Sequence, residues 1–494
     1  MFSIAIALAS VIAVKNSLDF NKIYTFTRGI LIMEEELMIT NESAEAILQS
    51  PDAVEFLEES AQQATGQEVD INTIAEVEQA FAELSDLAVS IELEPPTEGN
   101  DIRTGTEGDD EIFALAGDDY IIGDPGRTDF GNDTIDGGLG NDILVGRGRN
   151  DFLIGGDGND TLSGDAFIGV DVDDSARGND TLEGGNGNDN LEGSAGEDSL
   201  LGGNDNDTLS GETDNDTLIG GNGNDDLDGG TGDDSLVGGL DDDQLKGGDG
   251  NDTLEDGRGD DSFDGGAGDD SLSSGAGNDN LLGGDGDDTL KSGNEDDNLF
   301  GGNGDDKLEA GLGNDTLYGE EGSDLVSGSL GNDTLYGDRI GDIVGGAAAD
   351  SLYGGDGNDE LIGGVGSDIV NGQNGDDRLL GVDPSPSANR EFGENTIDTL
   401  TGGSGSDTFV LAAGNNVFYA EVDIDDYALI TDYEIGQDSL ELIGSLEDYS
   451  FGASPSNAPS GLGIFSGQGD ELIGVLSGVS VDSIENVQAS IDFV

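Results

Sequence analysis

From Arg177 to Tyr336 the chain repeats one nine-residue unit, and this period limits its fold more than any other feature. One copy reads Gly184-Gly185-Asn186-Gly187-Asn188-Asp189-Asn190-Leu191-Glu192. The sixth position is Asp in every copy: Asp180, Asp189, Asp198, Asp207, Asp216, Asp225, Asp234, Asp243, Asp252, Asp261, Asp270, Asp279, Asp288, Asp297, Asp306, Asp315, Asp324 and Asp333. Two residues after each Asp the chain is apolar, beginning Leu182, Leu191, Leu200, with Phe263 and Val326 as the departures from leucine. Recurrence in one frame over this length marks a repeat architecture rather than low-complexity coil.

The unit explains itself residue by residue. Glycines at its first, second and fourth positions allow positive φ, so six residues can turn tightly and aim backbone carbonyls inward. The remaining x-U-x triplet forms a short strand whose single apolar side chain faces the interior. One such strand buries too little to stand alone, so copies must stack.

The pattern G-G-x-G-x-D-x-U-x resembles the RTX, or haemolysin-type calcium-binding, repeat, and the resemblance extends over Thr104 to Val410. It implies an all-β-dominated chain built on a right-handed parallel β-roll, in which two nonapeptides make one coil. Each Asp then stacks on the Asp eighteen residues further on, about 4.8 Å away. Carboxylates at that spacing repel by about 0.9 kcal/mol in bulk water and about 3.5 kcal/mol at an effective dielectric of 20. With so little apolar core per coil, the array is expected to stay unfolded until a hard dication neutralises the row. Many Ca²⁺ ions suit this better than Mg²⁺, because Ca²⁺ tolerates irregular shells of carboxylate and carbonyl oxygen. The expected metal ligands are the eighteen sixth-position aspartates from Asp180 to Asp333 named above, nine residues apart, together with Asp142, Asp151 and Asp160 before them and Asp350, Asp359, Asp368, Asp377 and Asp407 after them.

Composition removes other classes. Of 494 residues, 34% are hydrophobic and 5% aromatic, thin for large ordinary cores, so order must come from elsewhere. With 110 acidic and 15 basic residues the net charge is −95, which repels nucleic acid and anionic membrane surfaces. No cysteine is present to form disulfides. No histidine is present either, which excludes Ser-His-Asp triads, H-E-x-x-H metalloproteases and His-based zinc sites. Carboxylate-only catalysis, as in polysaccharide lyases or epimerases, passes that filter, but no non-repeat stretch is large enough for such a module, and the chain is read as not an enzyme. A pore-forming toxin would need long apolar helices that the sequence lacks.

Taken in order, residues 1–32 are an over-extended start before Met33 or a weak leader: the apolar run Ile4 to Val14 is too short to span a bilayer and no basic residue precedes it. Residues 33–99 form an acidic helical segment. Ser50-Pro51-Asp52 is an N-terminal signature, and Ile74, Val77, Phe81, Leu84 and Leu87 make one helical stripe. Such a segment can shield the first coil, as solenoid ends require, or bind a partner. Residues 100–382 hold the repeats.

Within the array, longer gaps between Asp119 and Asp133 and between Asp160 and Asp180 predict loops around Pro125 and from Phe167 to Asp174. Asp205, Asp214, Asp241 and Glu295 replace the fourth glycine and are expected in the left-handed conformation, at roughly 1–2 kcal/mol each and less for Asp, with weaker metal binding. The frame is expected to slip by one between Asp342 and Asp350. Tyr318, Tyr336 and Tyr353 form a small aromatic set that either decorates the strand exits or offers a sugar-stacking surface.

Residues 383–400 read as a loop or linker with a resuming repeat at Asp398-Thr399-Leu400. Residues 401–494 hold the last repeat and a β cap, with strands around Phe451, Phe465 and Leu472 to Leu476. Asp432 to Leu442 resembles the C-terminal cap of RTX proteins, cyanobacterial ones in particular, and the tail Ile491-Asp492-Phe493-Val494 resembles the uncleaved signal read by type I secretion machinery. The resemblance therefore implies a secreted or cell-surface protein with no transmembrane anchor, folded by extracellular Ca²⁺ into a structural or adhesive rod, with cell-surface polysaccharide as a further partner; the alternative is a polysaccharide-modifying enzyme or toxin-related protein borne on the repeats.

Overall fold

The computed structural model describes residues 96–494 except 107, 125–129, 166–177, 339–347, 383–395, 414–415, 418–426 and 468–470. The chain divides into two compact units, Met1–Pro95 and Pro96–Val494. The first lies outside the described residues, and with it the leader and the helices expected near the N-terminus.

The second unit is a parallel β-roll. Thr181–Asn186, Ser199–Asn204, Thr217–Asn222 and Ser235–Leu240 pair in parallel, each eighteen residues after the last, with Leu182, Leu200, Leu218 and Leu236 in register. The alternate copies, Asn190–Ala195, Thr208–Thr213, Asp226–Thr231 and Gln244–Asp249, build the facing sheet in the same way. The apolar residue of each copy is buried between the sheets, from Ile112 and Ile121 through to Leu400 and Phe409. Strands in the regular copies run six residues rather than the three expected, because the glycine pair after x-U-x stays in the ladder, as in Gly185 opposite Gly203.

Insertions leave the ladder intact. Ile112 pairs with Ile135 and Leu153 with Leu182, so the extra residues are absorbed between strands that keep their register. The loops themselves, around Pro125 and from Phe167 to Asp174, lie outside the described residues. The expected one-residue slip after Asp342 is corrected: Val326 pairs directly with Leu352, 26 residues on, and the backbone N–H of Asp324 meets Asp350. The segment containing Asp342 is thus an insertion between regular copies, because hydrogen bonding across the coils fixes the frame. Residues 383–395 of the expected linker are likewise undescribed, and Ile397–Ser404 rejoins the ladder against Ile369–Asn374.

The roll closes on a different kind of structure. Tyr427–Ile430 and Ser439–Leu442 each extend one sheet. Tyr449–Ala453, Gly461–Ser466 and Glu471–Ser477 then form an antiparallel meander, whose last strand pairs with Tyr427–Ile430. A five-residue helix, Ile484–Gln488, buries Val487, and Ile491–Phe493 adds a parallel strand beside Ser439–Leu442. Among the described residues no helix is long and apolar enough to cross a membrane.

Candidate metal centre

Each six-residue strand ends in a turn that brings the next Asp back under its own coil, and this places the expected ligands in two buried rows. All of them, from Asp142 to Asp407, are at most 3% exposed. One carboxylate oxygen is used within the protein: Oδ1 of Asp198 accepts the backbone N–H of Asp180 at 2.7 Å, Oδ1 of Asp216 accepts that of Asp198 at 2.7 Å, and the pattern repeats along the roll. The other oxygen is not so used. From Asp142 to Asp377, Oδ2 of each expected ligand is buried without a hydrogen-bond partner.

These oxygens face backbone oxygens across a space that a glycine at the first position leaves open. A Cβ placed on Gly184 would lie 2.5 Å from Oδ2 of Asp189 and 2.7 Å from the carbonyl oxygen of Gly202. The same pair of atoms recurs at Gly202, Gly211, Gly229, Gly247 and Gly265. Converging carboxylate and carbonyl oxygens with no donor between them are the donor set of a hard, oxygen-seeking dication, and Ca²⁺ fits it.

Burial, reinforced by neighbouring carboxylates and partly offset by the accepted N–H, raises these groups above the ordinary carboxylate range: Asp189 to about 6, Asp207 to about 7, and Asp216 and Asp306 to about 8. Without a cation the folded roll thus holds protons on these carboxyls to higher pH than an exposed carboxylate would. Ser274 and Ser292 stand where their copies would have the first glycine, and their hydroxyls moderate the rise at Asp279 and Asp297.

Several members of the site escaped sequence reasoning. Asp119, Asp133 and Asp398 are buried in the same rows, and Asp438 ends one of them by accepting the N–H of Asp407. Asp119 fell in the ragged first copies, Asp133 opens the nine-residue frame just after a longer gap, and Asp398 sat within the expected linker. A second ladder runs along the fifth position: Oδ1 of Asn188 accepts the N–H of Asn206, and that of Asn206 the N–H of Asn224. The fifth side chain therefore clamps the following coil while the sixth clamps the preceding one. The recurring Asn-Asp or Asp-Asp pair was its visible signal. A third signal is the Gly-Asp pair before an insertion. Asp124 accepts the N–H of Gly131 and Asp165 that of Gly178, pinning the chain where the repeat resumes. Asp338 accepts that of Val365 in the neighbouring coil.

The fourth-position substitutes sit where the sequence placed them, with φ of 74° at Asp205, 77° at Asp214, 76° at Asp241 and 74° at Glu295. The aromatic set is corrected. Tyr353 lies on the opposite sheet, and Phe300 takes its place: Phe300, Tyr318 and Tyr336 stack with centroids 5.1 and 4.6 Å apart and planes within 3°. Tyr318 has a ring on each face, which disfavours a sugar-stacking use of that side chain.

Comparison with known families agrees with this geometry. The family described as RTX calcium-binding nonapeptide repeat (4 copies) matches in overlapping segments at 97–169, 175–339, 343–381 and 392–426, more than half of the chain. No curated protein matches the chain.

Proposed function

The chain belongs to the RTX calcium-binding nonapeptide repeat family, and from that premise we propose that it is a secreted or cell-surface protein whose array folds on extracellular Ca²⁺ and then serves as a structural or adhesive rod. The repeats bind Ca²⁺, and the rows of buried aspartates accord with many sites. The ligands are the Oδ2 atoms of the rows from Asp142 to Asp407, joined by the carbonyl oxygens of the first glycines. Bound Ca²⁺ supplies positive charge to a row that otherwise holds only acceptors. The observation that carries this reading is the unpartnered Oδ2 recurring in each coil, since a buried acceptor without a partner costs about 1–3 kcal/mol, and more when charged.

The logic extends to export. In a compartment poor in Ca²⁺ the ionised rows oppose folding, so the chain stays threadable for type I secretion machinery; millimolar Ca²⁺ outside draws it into the folded state by mass action. Circular dichroism tests the core of the proposal: the full chain should be coil-like in chelator and gain β signal on adding millimolar Ca²⁺, whereas strong array structure in chelator would overturn it. Fractionation of the producing cells, with release on chelator treatment, tests surface attachment. We assign the chain no catalytic role, and unsaturated product from alginate or pectin would reverse that assignment.

A further inference from the structure

One coil departs from the pattern in a way that changes its chemistry. The copy Asp256-Gly257-Arg258-Gly259-Asp260-Asp261 has Asp where most copies have their first glycine and three others have Ser274, Ser292 or Ala310. In the neighbouring coils a Cβ on the first glycine would meet one Asp Oδ2 and one glycine carbonyl, as at Gly229 with Asp234 Oδ2 and Gly247 O, and at Gly247 with Asp252 Oδ2 and Gly265 O. At Gly238 a second carboxylate oxygen is among the nearest atoms. The atoms found there are Oδ2 of Asp243 and Oδ2 of Asp256, each 2.5 Å from the Cβ position.

The backbone shows how Asp256 is placed. Thr253–Glu255 stops after three residues, whereas Ser235–Leu240 and Ser271–Ala276 on either side run six. Oδ1 of Asp256 accepts the N–H groups of Gly239 and Gly257, at 2.7 and 2.5 Å, which holds the carboxylate inward. Asp243, Asp256 and Asp261 thereby bring one carboxylate oxygen each within 4.8 Å of the others. Asp243 and Asp261 are 1% and 2% exposed, and the Oδ2 atoms of all three residues are buried without a hydrogen-bond partner. A regular position already has two stacked carboxylates eighteen residues apart, as Asp234 and Asp252; here Asp256 adds a third to the pair Asp243 and Asp261.

We propose that Asp243, Asp256 and Asp261 form a distinct cation site that fills with Ca²⁺ ahead of the regular rows. Affinity among oxygen-donor sites rises with the number of charged ligands and with rigidity, and this position has both: an extra carboxylate, and a side chain pinned by two backbone donors. The proposal rests on the calcium reading of the array and adds an order of filling to it. Because the site spans two successive coils, its occupancy joins them in the middle of the array before their neighbours are satisfied.

Equilibrium dialysis of the full chain against ⁴⁵Ca²⁺ tests this with two variants. The wild type should show one ion per chain bound at least tenfold more tightly than the rest. Asp256→Gly restores the residue that most copies carry, and should lose that tight ion while keeping the weaker class. Asp256→Asn keeps an oxygen for the Gly239 N–H but removes the charge. It should also lose the tight ion, whereas a merely structural role for Asp256 would leave it in place. Hydrogen exchange at low Ca²⁺ should protect residues 238–261 first. A single uniform class in the wild type, or a tight ion unchanged in both variants, overturns the site; no Ca²⁺ uptake by any of the three proteins overturns the calcium reading itself.

Discussion

The regular array and the C-terminal cap solve the same problem, burying acidic chain, with opposite means. In the array each copy contributes one apolar side chain, and each buried Asp satisfies one oxygen and leaves the other bare. In the cap both oxygens are used: Asp438 accepts the N–H groups of Asp407 and Glu434, at 3.1 and 2.6 Å, and Asp432 those of Gly402 and Gly403, at 3.0 and 2.8 Å. The meander and helix also supply a core of ordinary kind, with Leu462, Ile464, Ile473, Val475, Leu476 and Val487 all at 0% exposure. The difference teaches where metal dependence resides. A carboxylate met by backbone donors on both oxygens needs no cation, and one met on a single side does.

Chelation should separate the two regions most. Hydrogen exchange of the full chain in chelator should show array peptides between 177 and 336 near the coil limit, with peptides from 449–488 retaining protection; equal loss in both would break the comparison.

Neutralising one carboxylate should then act with opposite signs. Asp234→Asn removes a buried charge from the row, so in chelator at neutral pH it should favour the folded array, while in Ca²⁺ it should destabilise it through the lost ligand. Asp438→Asn should destabilise in both conditions, by about 1–3 kcal/mol, because one oxygen facing a backbone N–H becomes a donor. Urea midpoints with and without Ca²⁺ read both effects.

Acid should partly replace metal in the array. Its folded carboxyls sit above the usual 3.8, with Asp189 at about 6 and Asp180 at about 8. A raised folded pKa means stability that is full below the unfolded value and is lost as pH rises through the folded one. In chelator, array β signal should therefore be greatest below about pH 4 and decay between about pH 4 and 8. A flat profile would remove the electrostatic explanation.

The smallest effect concerns backbone strain. In the described part of the cap, residues with positive φ are glycines, Gly436, Gly444, Gly467 and Gly478, whereas the array places Glu295 at 74°. Glu295→Gly should stabilise the Ca²⁺-loaded array by roughly 1 kcal/mol, read as a higher urea midpoint. No gain would mean that Glu295 is held by interactions that offset its strain.

What the sequence determined alone is the local, periodic part. The nine-residue frame set which residue is buried and which Asp is turned inward, and the fourth-position substitutes could be placed in left-handed backbone before any coordinates. Resemblance to the RTX repeat added the eighteen-residue coil. Such features depend on neighbours a few residues away that recur without change, so reading one copy reads them all.

The tertiary structure decided whatever depends on a partner in another coil. That Val326 meets Leu352, that Phe300 rather than Tyr353 joins the tyrosine stack, and that Asp256 brings its carboxylate beside that of Asp243 follow from hydrogen bonding across coils, where an insertion changes sequence distance but not spatial neighbours. The split between a satisfied Oδ1 and a bare Oδ2 is of the same kind. The sequence can name the carboxylate, but only the stacking of one turn on the next decides which of its oxygens meets an N–H and which is left for a cation.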